Sequence, residues 1–191
     1  MTHLWDDRPS GLKIIENYID QDDHDHLLWE IDRLPWDETL VRRTQQYGFE
    51  YRYALGRVNP KLTPMPEFLK DLAGILVDEG HVKTRPNSVI VNEYQPGQGI
   101  GNHKDSASFG EEIVSLSLGS QVRMDFTGPN DSTYSCDLFP TDLLILSGDA
   151  RWVWTHGIAK RLKDAGISRR RRVSITFRHV TLNAPITVDA L

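Results

Sequence analysis

His103 and Asp105 stand two residues apart in GNHKDS, and His156 follows 53 residues later in WVWTHGI. On an extended strand, side chains two apart point to the same face, so this pair can present an imidazole and a carboxylate together. A second imidazole completes a set of two nitrogens and one oxygen. Such a set occupies one face of an octahedral ferrous ion and leaves the opposite face open for substrate and dioxygen. Zinc accepts the same donor types. An H-x-D pair with a distant histidine also occurs in chains that hold no metal, so these three residues alone leave the metal open.

A second group of residues suits a dicarboxylate. The stretch RVSITFR puts Arg172, Ser174, Thr176 and Arg178 on one face of a strand and Val173, Ile175 and Phe177 on the other. A guanidinium grips a carboxylate through two parallel hydrogen bonds and stays charged at any working pH. Two guanidiniums on one strand fit a small diacid such as 2-oxoglutarate, and the competing reading is an edge strand with solvated arginines. Asn92 and Tyr94 in VNEY share a face and can donate hydrogen bonds to the same molecule.

The elements that must position these residues are legible in outline. Leu27, Leu28, Ile31 and Leu34 recur at helical spacing within Asp22 to Leu34, and Pro35 stops the run. A second helix is expected from Pro66 to about Gly80, with Phe68, Leu69, Leu72, Ile75 and Leu76 as its buried face. Between them Tyr47, Phe49, Tyr51 and Tyr53 alternate, which predicts one aromatic face on a strand or hairpin arm. From residue 87 onward the candidates are short strands: SVIVNEYQ, EIVSLSLG, QVRMDF, DLLILSG, RWVWTHG and RVSITFRHV. Turn-rich breaks separate them at PGQGIG, TGPNDS, FPTD and SGDA. Short strands at this spacing predict a sandwich or jelly roll. With RWVWTHG extended, Trp152 and Trp154 share the face of His156 and point inward beside it.

Together, NEYQPGQGIGNHKD, IVSLSLGS, LLILSGDARWVWTHGI and RRVSITFR, in that order, resemble the AlkB family of Fe(II)- and 2-oxoglutarate-dependent dioxygenases. The look is closest to the branch that hydroxylates a modified wobble uridine in tRNA. The resemblance implies an α+β fold, a double-stranded β-helix (jelly-roll) core with flanking N-terminal helices and a nucleotide-lid region. It implies a single domain over residues 1–191, with a helical part at 1–38, a lid and helix at 39–86 and a catalytic core at 87–180. By the same resemblance His103, Asp105 and His156 are the iron ligands, and Arg172 pairs with the distal carboxylate of 2-oxoglutarate, helped by Tyr94. Arg178 and Asn92 lie near its other end or near the iron, and Ser174 stands where better-known members have asparagine. The implied cofactors are Fe(II), 2-oxoglutarate and O2, with succinate and CO2 as coproducts. The implied function is hydroxylation or oxidative demethylation of a modified nucleobase in DNA or RNA; the alternative is the same chemistry on a protein or small molecule. Repair members often carry H-x-D-x-D, and Ala107 takes the place of the last aspartate, which weighs against direct repair of methylated adenine or cytosine.

Substrate contacts are expected from Tyr47, Phe49, Tyr51 and Tyr53 as stacking residues for a flipped or unpaired base. Arg42, Arg43 and the basic stretch from Lys160 to Arg172 are the expected phosphate contacts. The whole chain of 191 residues carries a net charge of −5, which by itself argues against a polyanionic partner. That sum hides a gradient: residues 1–40 hold 3 Lys/Arg against 11 Asp/Glu, whereas residues 151–180 hold 9 against 1. No run nears the ~18 apolar residues of a membrane span, and no secretory leader is evident at the N-terminus. The lone Cys136 can form no internal disulfide. These features predict a cytoplasmic protein (nuclear if eukaryotic), monomeric and without a membrane partner.

Overall fold

The computed structural model describes residues 8–52 and 57–181. In chain order its elements are β1 (Leu12–Ile15), α1 (Gln21–Asp32), β2 (Thr44–Arg52), β3 (Arg57–Thr63), α2 (Glu67–Asp78), β4 (Ser88–Tyr94), β5 (Ile100–His103), β6 (Phe109–Gly119), β7 (Val122–Thr127), β8 (Thr133–Leu138), β9 (Leu143–Leu146), α3 (Gly148–Trp152), β10 (Thr155–Ile158), a small hairpin of β11 (Lys163–Asp164) and β12 (Ile167–Ser168), and β13 (Arg172–Val180). Seven strands form one sheet in the order β1-β9-β6-β13-β4-β2-β3, and four form a second in the order β5-β10-β7-β8. The pairings within both sheets are antiparallel. Among the described residues no helix is long and apolar enough to cross a membrane.

Period-two alternation assigns apolar residues of β4, β6, β9 and β13 to one of two cores. Val89 and Val91 of β4, Val114, Leu116 and Leu118 of β6, and Val173, Ile175 and Phe177 of β13 face the helices, where Leu27 and Ile31 of α1 and Leu69, Ala73 and Leu76 of α2 cover them. The intervening positions look into the space between the sheets. There Ile113, Leu144 and Leu146 meet Val122, Met124, Phe126, Leu138 and Ile158 of the small sheet. This is the expected jelly roll, and the polar face of β13 lines its interior. Asp20 caps α1 by accepting from the Asp23 amide at 2.8 Å. The helix ends at Asp32, short of Leu34, because a residue before proline disfavours the helical conformation.

Two expectations are corrected here. Tyr47, Phe49, Tyr51 and Tyr53 do not share one face. Gly48 has φ +69°, a Cβ there would sit 2.0 Å from the Asn87 carbonyl oxygen, and the pairing of β2 with β3 shifts register between Phe49 and Tyr51. A bulge of this kind resets the alternation. Tyr47 therefore packs into the helix-side core, whereas Phe49 packs against the core between the sheets. The side chain of Tyr51 and all of Tyr53 lie outside the described residues. RWVWTHG, in turn, is not one strand. After Ser147 the chain turns into α3, with the Ala150 amide held by the Ser10 carbonyl and the Val153 and Trp154 amides by the Asp149 carbonyl. Trp152 consequently points away from His156, is 37% exposed and donates from Nε1 to Glu111 at 3.0 Å. Trp154 is buried in the core between the sheets.

Candidate active site

Strand pairing brings the two histidines together. His103 of β5 lies directly opposite His156 of β10, and their rings are 4.6 Å apart. Asp105 follows β5 at the start of an irregular stretch, with its side chain buried. One donor atom from each of the three lies within 4.8 Å of the others, so they could hold a single metal ion. The His103 Nδ1 donates to the Gly101 carbonyl at 2.9 Å, because a carbonyl only accepts. That fixes the tautomer and leaves Nε2 as the lone pair. Burial pushes His156 down to about 4 against the opposing pull of Asp105, so its imidazole is neutral at pH 7. Burial is the largest single influence on Asp105 and acts to raise it, but the surrounding charges together, Arg178 foremost among them, outweigh it and hold its carboxyl below the ordinary value. A neutral imidazole at His156 and an ionised carboxylate at Asp105 are the states a metal requires of such ligands.

The triad opens onto a cavity of about 420 Å³ between the sheets, whose walls include Arg42, Asn92, Tyr94, Arg172, Ser174 and Arg178. Arg178 pairs with Asp105 Oδ1 at 2.9 Å and so belongs to the metal end. Arg172 lies six residues along the same strand, 3% exposed. Its Nη2 donates to Ser117 Oγ at 3.1 Å and its guanidinium sits 5.5 Å from the Tyr94 ring centre. Its Nε is buried with no hydrogen-bond partner among the described residues. Burial lowers this guanidinium to about 10, which still leaves it charged at neutral pH. A buried cation without a counter-ion costs several kcal/mol, so this end of the cavity is built for an anion. The donor set at one end and the uncompensated guanidinium at the other fit a metal with a bound diacid.

Several expected contacts lie elsewhere. Arg42 lines the cavity and donates from Nε to Asn92 Oδ1 at 3.1 Å. Arg43 points away from it, bonds Glu93 at 2.7 and 2.8 Å and lies over the Trp36 ring. Tyr47 is buried, donates to Gln45 Oε1 at 3.1 Å, and serves the core where base stacking was expected. The basic stretch is largely engaged within the protein. Arg169 pairs with Asp164, Arg161 with Asp125 and Asp164, and Arg171 with Asp32 and Glu93. The sequence reading missed Ser117, although the alternation in IVSLSLG already put it opposite the apolar residues. It also missed Arg151, for which periodicity gives no signal. Cys136 is buried on β8, and burial pushes its thiol up to about 12, so it is inert at neutral pH.

Residues 11–178 match the 2OG-Fe(II) oxygenase superfamily. The tRNA (carboxymethyluridine(34)-5-O)-methyltransferase alkbh8 of Xenopus tropicalis is 37% identical over 167 residues, 82% of this chain and 26% of that protein. The chain is a 2OG-Fe(II) oxygenase of the AlkB family. It spans about a quarter of the length of that tRNA-modifying relative. The uncharacterised protein L905 of Acanthamoeba polyphaga mimivirus is 34% identical over 181 residues, 90% of this chain and 85% of that one. The solved structure of OsALKBH1 superposes with a TM-score of 0.68 at 19% identity, over 90% of this chain and 97% of that one, which shows a common fold. This AlkB-family oxygenase works with Fe(II), 2-oxoglutarate and O2, and its His–Asp–His cluster could hold the metal.

Proposed function

We propose that the enzyme hydroxylates or oxidatively demethylates a modified nucleobase, with tRNA as the favoured substrate. The observation that carries the chemistry is the pairing, within one cavity, of the His103–Asp105–His156 cluster with the uncompensated guanidinium of Arg172. In this reading the three residues hold Fe(II), and Arg172, with Tyr94 and Ser174 beside it, receives the distal carboxylate of 2-oxoglutarate. Arg178 orients Asp105 by holding one of its oxygens. Asn92, fixed by Arg42, lines the wall between the two ends. When bound, iron, 2-oxoglutarate and O2 together supply the oxidation of a C–H bond and release succinate and CO2. The chain's own task is to keep one coordination face open and to bring the target carbon to it. On an N-methyl group the hydroxylated product sheds formaldehyde; on a carbon-linked substituent the hydroxyl stays. The nucleic-acid assignment is supported by the tRNA-acting relative and by Arg42 at the cavity wall.

The test is succinate formation with Fe(II) and 2-oxoglutarate on isolated tRNA and on single-stranded oligonucleotides bearing modified bases, with mass spectrometry of the nucleosides. Turnover on tRNA, lost in His103→Ala, is the expected result. Turnover that persists without metal overturns the chemistry. Turnover on proteins or metabolites, with none on any nucleic acid, overturns the substrate class.

A further inference from the structure

Arg151 lies outside every role assigned so far, yet it is 2% exposed. Its guanidinium gives hydrogen bonds to four backbone carbonyls, two in the loop after β5 and two at the start of β6. Nη1 donates to Asp105 at 2.9 Å, Nη2 to Ser106 at 2.6 Å and to Phe109 at 3.2 Å, and Nε to Gly110 at 3.3 Å. Among the described residues no carboxylate forms an ion pair with it. Its charge instead rests on carbonyl dipoles and on the face of Trp152, 4.1 Å from the ring centre. A buried cation without a counter-ion is costly, and an apolar side chain would fill the same volume without that cost. What the guanidinium alone provides is a planar fork of five donors. The loop it serves, between β5 and β6, is irregular and lacks ladder bonds of its own over residues 104–106.

We infer that Arg151 is a positioning residue for the metal site, fixing the backbone that carries Asp105 relative to the segment that carries His156. Arg151 sits on α3, five residues before His156, and α3 is itself anchored by the bond from the Ala150 amide to the Ser10 carbonyl. The side chain reaches across from there to the Asp105 carbonyl, 46 residues away in sequence. One side chain thus joins the two segments whose donors must converge within 4.8 Å. Arg178 fixes the Asp105 carboxylate from β13, and Arg151 fixes its main chain, so the ligand is held at both ends. The inference rests on the ligand reading above. It concerns how tightly the site is preorganised before metal arrives.

The test is Co(II) titration of the metal-free protein, followed by the visible absorption of the bound ion. Binding to the unmodified chain, with none to His103→Ala, checks the ligand reading first; failure at that step is a failure of the reading and not of Arg151's part. Arg151→Met is then expected to weaken Co(II) binding by about tenfold or more, as loss of outer contacts to a metal ligand does, and Arg151→Lys to restore only part of it. Leu138→Ala, a remote core truncation on β8, serves as the control: it lowers the melting temperature and leaves Co(II) affinity unchanged. Wild-type affinity in both Arg151 variants overturns the inference. If neither variant folds, hydrogen exchange in the metal-free wild type decides. The Phe109 amide, bonded to the Ser106 carbonyl at 3.1 Å, is slow if the loop is clamped, and exchange at the rate of an open loop overturns it.

Discussion

Arg178 Nη2 holds Asp105 Oδ1 at 2.9 Å, while the other carboxylate oxygen faces His156 Nε2 at 3.6 Å. One carboxylate therefore serves a structural cation with one oxygen and remains available to a metal with the other. Removing the cation strands a buried charge, so Arg178→Met is expected to destabilise the metal-free protein by about 3 kcal/mol. Urea unfolding measures this, and an unchanged midpoint and slope would show that the pair contributes nothing to the fold.

Arg172 gives the opposite expectation. Its charge is buried without a counter-ion among the described residues, so Arg172→Ala leaves the stability of the cosubstrate-free protein unchanged or raises it. The same change raises the KM for 2-oxoglutarate by about tenfold or more, since a hydrogen bond to a charged group is worth about 1.5–3 kcal/mol. Thermal shift with added 2-oxoglutarate separates the two effects: wild type is stabilised and the variant is not. A normal KM in the variant would remove Arg172 from the cosubstrate site.

Gly157 follows His156 on β10, and a Cβ there would lie 2.7 Å from Asn102 Oδ1 and 2.9 Å from the Ile100 carbonyl oxygen. Gly157→Ala therefore wedges β10 away from β5 and separates the two histidines. The expected outcome is Co(II) affinity lowered by about tenfold, in the range of other indirect ligand disturbances, with the circular dichroism spectrum retained. Unaltered affinity would mean that the two strands tolerate the displacement.

Glu93 of β4 ties the segment just before β2 to the segment just before β13. Burial acts to raise its carboxyl, but hydrogen bonds from Arg43 and Arg171 and their charges hold it at about 2, against an ordinary 4.5. The native state thus binds this proton less readily than the unfolded chain does. The resulting stability is fully present above about pH 4.5 and is lost as pH falls toward 2. Wild type is expected to lose more stability than Glu93→Gln over that interval, and the two should converge near pH 2. Parallel pH profiles would show that the pair of arginines does not depress this carboxyl.

Much of this was legible from residue types and their alternation. The polar face of RVSITFR became the cavity wall because period two cannot be shifted without exposing Val173, Ile175 and Phe177. What sequence could not supply was long-range pairing. Arg43 and Arg171 look like free basic residues until folding delivers Glu93 to both; Arg169 looks free for a local reason, because a small hairpin turns Asp164, five residues earlier, onto it. The aromatic run failed for a local reason: one glycine with positive φ inverted the alternation between Tyr47 and Phe49. Trp152 was misplaced because the turn after Ser147 depends on a carbonyl from Ser10, far away in the chain.

The internal pairing of the basic stretch has a consequence for how a polyanion is met. With Arg161, Arg169 and Arg171 engaged by carboxylates, the exposed cations of that stretch are Lys160, Lys163 and Arg170. If the partner is the nucleic acid proposed above, three phosphate contacts to a single strand would release few condensed counterions, giving an expected slope of about −2 for log affinity against log salt. A shallow slope means that discrimination between substrates rests on what enters the cavity, and that it persists at ionic strengths that strip non-specific binders from RNA.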